Sequence, residues 1–252
     1  MEKGKILDLQ AISVSFDGFK VLDKLDFSLD YEELRFLIGP NGAGKTTLLD
    51  IITGKTPALA GKAIFNGKVN ISSQSEHKLA RLGIGRKFQT PSVFGSLSVY
   101  ETLEIAVGFR DRPGRFFQKL KTEQVECIKE TLEKIGLTRK ARTPAGILSH
   151  GEKQWLEIGM LLAQQPQLLL LDEPVAGMTR QERDKTGELL QAISKNRTVL
   201  VVEHDMQFVR QFANQVTVLH QGQKLCEGPV QEVQQDPRVI EAYIGRKREK
   251  AA

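Results

Sequence analysis

Apolar spacing changes character several times along the chain. Residues 5 to 38 alternate apolar and polar side chains in "ILDLQAISVSF" and "LDKLDFSLD", then run apolar in "RFLIG". Period-two spacing predicts strands with one buried face, and the last run predicts a short strand stopped by glycine. "KTTLLDIITG" predicts a helix ended by Gly54, and "GKAIFNGKVNI" a strand pair about an Asn66-Gly67 turn. Between Leu97 and Ile147 the spacing turns helical. "SVYETLEIAVG" is one helix, and "EQVECIKETLEKIGL" sets Val125, Ile128, Leu132 and Ile135 on one face of another. The basic, aromatic stretch "FRDRPGRFFQKLK" separates them.

From Gln167 strands and helices alternate: "LLLLD", "RQERDKTGELLQAI", "TVLVVEHD" and "MQFVRQFANQV". Unbroken apolar runs such as "LLLL" and "TVLVV" suit parallel strands covered on both faces. "VTVLHQGQKLCEG" predicts an antiparallel hairpin, and "GRKREKAA" a frayed basic end. The order predicts an α/β fold. Its core, from residues 1–90 and 155–252, is a mostly parallel sheet with an antiparallel β part near the N-terminus; a helical subdomain is inserted over about 91–154.

Composition narrows the class without deciding it. The 252 residues suffice for one large domain, and 40% hydrophobic with 27% charged residues is ordinary for a globular chain. A net charge of +5 favours an anionic partner only weakly. Cys127 and Cys226 stand far apart with no metal-type spacing, as expected of reduced thiols in a cytosolic protein. "MEKGKILDLQ" lacks the apolar core of a signal peptide, and no apolar run approaches the roughly 18 residues of a membrane span. A role in a membrane process would be exercised from outside the bilayer.

The chemistry is concentrated in four short stretches. "GPNGAGKT", Gly39 to Thr46, fills the pattern G-x-x-x-x-G-K-[ST] between an apolar strand and a helix. Gly39, Pro40, Asn41, Gly42, Ala43 and Gly44 form a loop whose amides can turn inward around phosphates, at a helix N-terminus whose dipole favours anions. Lys45 would reach the β- and γ-phosphates, and Thr46 would ligate Mg²⁺ beside Thr47. About 125 residues later "LLLLDE" places Asp172 to hold Mg²⁺, usually through water, and Glu173 to polarise an attacking water. An Asp-Glu pair after an apolar strand is often only a strand end; the upstream phosphate loop gives this one a purpose. "VVEHD" ends the next apolar strand on His204, which can donate to a γ-phosphate oxygen. The strand ends after Ile38, Leu171 and Val202 should converge on one edge of a parallel sheet.

The fourth stretch, "LSHGEKQWLEIGM", begins with a capping box of Ser149 and Glu152. Gly151 sits in the first turn, where helix propensity is poor, an oddity that the capping box alone does not explain.

Together these stretches resemble the ATP-binding subunits of ABC transporters over essentially the whole chain, with the motifs in the same order. On that resemblance Phe16 in "VSFDG" corresponds to the aromatic that stacks on adenine. Gln89 in "RKFQTP" corresponds to the glutamine that senses the γ-phosphate and its metal, "LSHGEKQ" to the signature sequence, and "VAGM" to the D-loop. The resemblance implies head-to-tail dimers in which Ser149 and the Gly151 amide face the partner's nucleotide. Here His150 replaces a glycine and Glu152 a glutamine of the usual "LSGGQ". A carboxylate near a nucleotide is repulsive unless it turns back into the capping box.

"EPVAGMT" resembles the importer ATPases for branched-chain amino acids and related amides; within that group "FQTPSVF", "LSHGEKQWLEIGMLL", "VVEHDMQFVRQFANQVTVLHQG" and "DPRVIEAYIGR" look most like the bacterial urea importers. That likeness implies a second ABC ATPase subunit as partner, in a heterodimer or, in isolation, a homodimer. It also implies two membrane permease subunits and, indirectly, a periplasmic solute-binding protein, with the chain on the cytoplasmic face of the membrane. A branched-chain amino acid importer is the nearest alternative. A soluble ABC ATPase of the iron–sulfur assembly type is a further one. A nucleic-acid partner is not expected, since the chain has neither long coiled coils nor a second ATPase domain.

Overall fold

The computed structural model describes residues 4–87, 93–110 and 119–242. Its N-terminal half builds an antiparallel sheet in the order β2-β1-β4-β5, from β1 (Lys5–Phe16), β2 (Phe19–Asp30), β4 (Ala60–Phe65) and β5 (Val69–Asn70). β1 and β2 are joined by the two-residue turn Asp17-Gly18, both residues at positive φ, which matches the right-handed twist of the strands. The same left-handed pair recurs at Asn66-Gly67 between β4 and β5.

The second sheet has the order β10-β9-β3-β8-β7-β6. β3 (Leu34–Ile38), β8 (Thr198–Val202), β7 (Leu168–Asp172), β6 (Ile84–Lys87) and β9 (Gln215–His220) run parallel, and β10 (Gln223–Pro229) returns antiparallel on β9. Both faces are covered, which explains the unbroken apolar runs. On one face Leu37, Leu168, Leu170, Leu200, Val202 and Leu219 pack with α1 (Lys45–Ile52) and the antiparallel sheet. On the other, Phe36, Ile38, Leu169, Leu171, Val199 and Val201 pack against helices.

Those helices are α3 (Val99–Val107), α4 (Thr122–Lys134), α5 (His150–Ala163), α6 (Arg180–Ser194) and α7 (Met206–Phe212). Leu103 of α3, Ile128 and Leu132 of α4 and Ile158 of α5 share one apolar cluster with the sheet. α5 is unbroken from His150 to Ala163, so one rigid element carries the signature sequence on its first turn and core-packing side chains behind it.

Several elements depart from the periodicity. α7 stops at Phe212, because Ala213 is extended and Val216 and Val218 are already strand residues of β9. α2 (Glu76–Leu82) and α8 (Val230–Gln235) are too short to show a period. β6 hides itself by its charge. Arg86 and Lys87 lie in a buried strand with side chains only 5% and 1% exposed, where an apolar run is the usual sign. They are matched by carboxylates far off in sequence, Asp50 on α1 for Arg86 and Glu157 on α5 for Lys87 at 3.4 Å. Burial still pulls the Lys87 ammonium below its ordinary range. Among the described residues no helix is long and apolar enough to cross a membrane.

Candidate functional site

The phosphate loop leaves β3 at its C-terminal end. A Cβ on Gly39 would strike the Leu219 carbonyl of β9. Gly44, the residue capping α1, has φ +99, and a Cβ there would lie 2.6 Å from Leu22 Cδ2. Glycine is therefore demanded twice, by backbone shape and by closeness to neighbouring strands. No side chain caps α1, so its first-turn amides keep their anion-binding character. Lys45 Nζ donates to the carbonyls of Gly39 (2.7 Å) and Pro40 (3.1 Å), curling over the loop. Asn41, Gly42 and Thr46 are exposed, Thr47 half-buried and Ala43 buried. The loop is tied down from outside: Gly222, in the β9–β10 turn, donates its N–H to the Ala43 carbonyl (3.2 Å) and accepts from the Asp23 N–H of β2 (3.1 Å).

β3, β8 and β7 are neighbours in the sheet, with Leu37 and Asp172 both in register with Val202. The three strand ends thus meet at one edge, beside the phosphate loop. Asp172 is held above the usual carboxylate range by desolvation, against the pull of the Arg86 guanidinium 3.8 Å away. A divalent cation would relieve that desolvated carboxylate, and the exposed Thr46 hydroxyl stands in the first turn of α1. One carboxylate, one hydroxyl and several waters is a set that Mg²⁺ accepts.

Glu173 follows with φ +46, a left-handed conformation that costs a non-glycine residue roughly 1–2 kcal/mol. Its N–H donates to the Val202 carbonyl (2.9 Å), which locks the turn. The bend swings the side chain towards β8's exit, where Glu173 Oε1 lies 3.1 Å from His204 Nδ1. The His204 side chain is 62% exposed, so the pair stands at the surface of the site rather than beneath it.

Beneath it lies a residue that sequence reasoning did not single out. Glu203, fully buried at the end of β8, accepts from the N–H groups of Val175 (3.4 Å), His204 (3.2 Å) and Asp205 (3.4 Å). It steadies the chain on both sides of the Glu173–His204 pair. Desolvation pushes its carboxyl up to about 7. A group that binds its proton more tightly when folded costs stability once the unfolded chain has ionised. That cost is absent below 4.5, the ordinary value, and complete above about 7. From this group alone folding stability should fall by about 3 kcal/mol as pH rises through that window. Denaturant unfolding of the wild type and Glu203→Gln from about pH 5 to 8 checks it: the wild type loses stability with pH, and the variant's curve lacks that fall.

Phe16 is placed at the tip of the β1–β2 hairpin, 49% exposed, opposite Phe19, which is 81% exposed. The hairpin adjoins the phosphate loop through Leu22 and the Val21 carbonyl, which both border Gly44. Phe19 went unnoticed in the sequence, although two exposed aromatics at one hairpin tip make a natural stacking platform. Gln89 lies outside the described residues.

Ser149 and Gly151 are not brought to this loop. Ser149 caps α5 in a full capping box: its hydroxyl accepts from the Glu152 N–H (3.2 Å), and Glu152 accepts from the Ser149 N–H (3.0 Å). Glu152 also pairs with Lys140 at 2.5 Å, which neutralises the replaced glutamine's new charge. A Cβ at position 151 would have to push aside the Glu182 carboxylate of α6, which the Thr179 N–H and hydroxyl hold at 2.9 Å. That carboxylate is 3.4 Å from the Ser149 hydroxyl.

Known proteins share this sequence and fold over nearly the whole chain. Residues 22–176 match the ABC transporter family, and residues 223–248 match the branched-chain amino acid ATP-binding cassette transporter family. The high-affinity branched-chain amino acid transport ATP-binding protein BraF of Pseudomonas aeruginosa is 31% identical over 252 residues, covering 95% of this chain and 98% of the relative. LivG of Escherichia coli K12, described in the same words, is 31% identical over 250 residues, with 95% and 98% covered. A crystal structure of an ATP-binding cassette of an ABC transporter in its ADP conformation superposes with a TM-score of 0.84 at 30% identity, covering 96% of this chain and 99% of that one. The chain therefore belongs to the ABC transporter family, as an ATP-binding subunit and ATPase of the branched-chain amino acid transporter type.

Proposed function

We propose that this chain hydrolyses ATP at the sheet edge formed by Gly39 to Thr47, Asp172, Glu173 and His204, and so powers a bacterial importer. The observation that supports it best is the meeting of the phosphate loop, the desolvated Asp172 and the Glu173–His204 pair on neighbouring strand ends. Loop amides and Lys45 bind the phosphates, with Lys45 exchanging the Gly39 and Pro40 carbonyls for phosphate oxygens. Phe16 stacks on the base. Thr46 and Asp172, with Gln89, would hold Mg²⁺, which supplies charge neutralisation on the phosphates. Glu173 orients the attacking water and accepts its proton. His204, by donating from Nδ1 to Glu173, fixes that carboxylate. A neutral imidazole so arranged offers only a lone pair at Nε2, so donation to a phosphate oxygen as well needs the imidazolium.

The uncapped entrance of α1 is half of a composite site, with Ser149 and the Gly151 amide completing the partner's half across a dimer. The partner is a second ABC ATPase subunit in the working complex, or another copy of this chain in isolation. Two permease subunits would receive the motion at the cytoplasmic membrane face, with a periplasmic binding protein beyond them. In a mixed dimer, Ser149→Ala in this chain should lower hydrolysis in the partner's site by about tenfold, the worth of one charged hydrogen bond. ATP binding by this chain should stay unchanged. Measured loss of this chain's own binding would contradict the composite site.

The solute is proposed to be urea or a short-chain amide, on the likeness of "FQTPSVF" and "LSHGEKQWLEIGMLL" to urea-importer subunits. The relatives' names favour branched-chain amino acids as the alternative. Uptake of labelled urea against labelled leucine in a deletion strain decides between them.

A further inference from the structure

His150, the residue that departs from the usual signature sequence, makes two contacts through one nitrogen. Its Nε2 lies 3.0 Å from the Ala176 carbonyl and 3.3 Å from the side-chain amide of Gln154, one turn further along α5. A carbonyl can only accept, so Nε2 carries the proton. Gln154 is fully buried, and its Oε1 is without a hydrogen-bond partner while its NH₂ points at the imidazole. A half-turn of the amide about its last torsion resolves the clash of two donors, because Oε1 then accepts from the same N–H. The imidazole N–H is thus shared between a buried amide on the signature helix and a carbonyl three residues beyond Glu173.

The segment it meets is a tight turn. Ala176 N–H donates to the Glu173 carbonyl (3.2 Å), and Met178 N–H to the Val175 carbonyl (3.2 Å). Val175 N–H donates to Glu203. Gly177, at φ +72, lets the turn pass under the imidazole; a Cβ there would lie 3.1 Å from His150 Nε2. The start of the turn is thus held by Glu203 and Glu173, and its apex by His150.

We propose that His150 is a positioning residue for hydrolysis: its Nε2–H pins the turn that follows Glu173 to the entrance of the signature helix, so that both move as one body. This rests on Glu173 acting on the water as proposed above. A glycine, the usual residue at position 150, has no side chain to donate from. The pin also works in either protonation state, because Nε2 keeps its proton when Nδ1 gains one.

The test compares His150→Phe, which keeps the ring and loses the donor, with His150→Gln, whose amide reaches the position of Nε2. Steady-state hydrolysis by the full chain should show kcat lowered about three- to tenfold in His150→Phe, with KM for ATP unchanged. His150→Gln should recover most of the rate. Gly177→Ala, which displaces the same contact from the other side, should lower kcat as His150→Phe does. Amide exchange over residues 174–178 should quicken in His150→Phe while the rest of α5 stays protected. Unchanged kcat, or a rate in His150→Gln as low as in His150→Phe, overturns the proposal. A Glu173→Gln control separates the two levels. If hydrolysis survives in that control, the assignment of Glu173 falls and the pin with it. If hydrolysis is lost there but intact in His150→Phe, only the pin falls.

Discussion

Glu173→Gln should bind ATP with near wild-type affinity and hydrolyse it about a thousandfold more slowly. The amide has the same shape as the carboxylate and can still accept from His204 Nδ1, 3.1 Å away in the wild type, so the turn after β7 keeps its geometry. What the amide cannot do is take a proton. General-base catalysis contributes on the order of 10²–10⁴ in rate, and binding does not draw on it. A single-turnover measurement with excess protein, alongside equilibrium binding of ATP, separates the two quantities. A rate within tenfold of wild type would remove Glu173 from the role of base and leave it as a bent strand end.

Lys45→Ala should do the reverse, weakening ATP binding about a hundredfold while leaving the fold intact. The ammonium contributes charge-assisted hydrogen bonds to phosphate oxygens, worth about 2–3 kcal/mol at a partly buried site. Lys45 Nζ donates to the Gly39 and Pro40 carbonyls of a loop that Gly222 also ties down, and alanine is the better helix former at the start of α1. Titration calorimetry with ATP gives the affinity and thermal unfolding the stability. Affinity within threefold of wild type would show that the loop amides alone carry the phosphates.

The legible part of the molecule is where chemistry and backbone shape coincide. "GPNGAGKT" names its own glycines because φ and crowding allow nothing else at Gly39 and Gly44. The capping box at Ser149 and the turn at Asn66-Gly67 are local, so short stretches suffice to find them. β6 was hidden because Arg86 and Lys87 are neutralised by partners on α1 and α5, a fact of tertiary distance that no window contains. Glu203 was missed for a related reason. It reads as one more polar letter after "TVLVV", and only burial shows that its carboxyl is braced by the backbone around the site. His150 could have been found: a ring with a donor where glycine is usual asks for an acceptor, and Ala176 supplies it. The reason for Gly151 was half legible, since the anion that a Cβ would strike in the chain itself is Glu182.

The left-handed bend at Glu173 has a consequence for anyone breeding hardier forms of this protein. Asparagine and glycine sit in that conformation at less cost than glutamate, so a screen that rewards heat resistance alone favours them at position 173. Its winners would keep the sheet, the phosphate loop and the nucleotide, and would have lost the carboxylate proposed to spend it. Selection on survival of the fold and selection on turnover pull this one position in opposite directions.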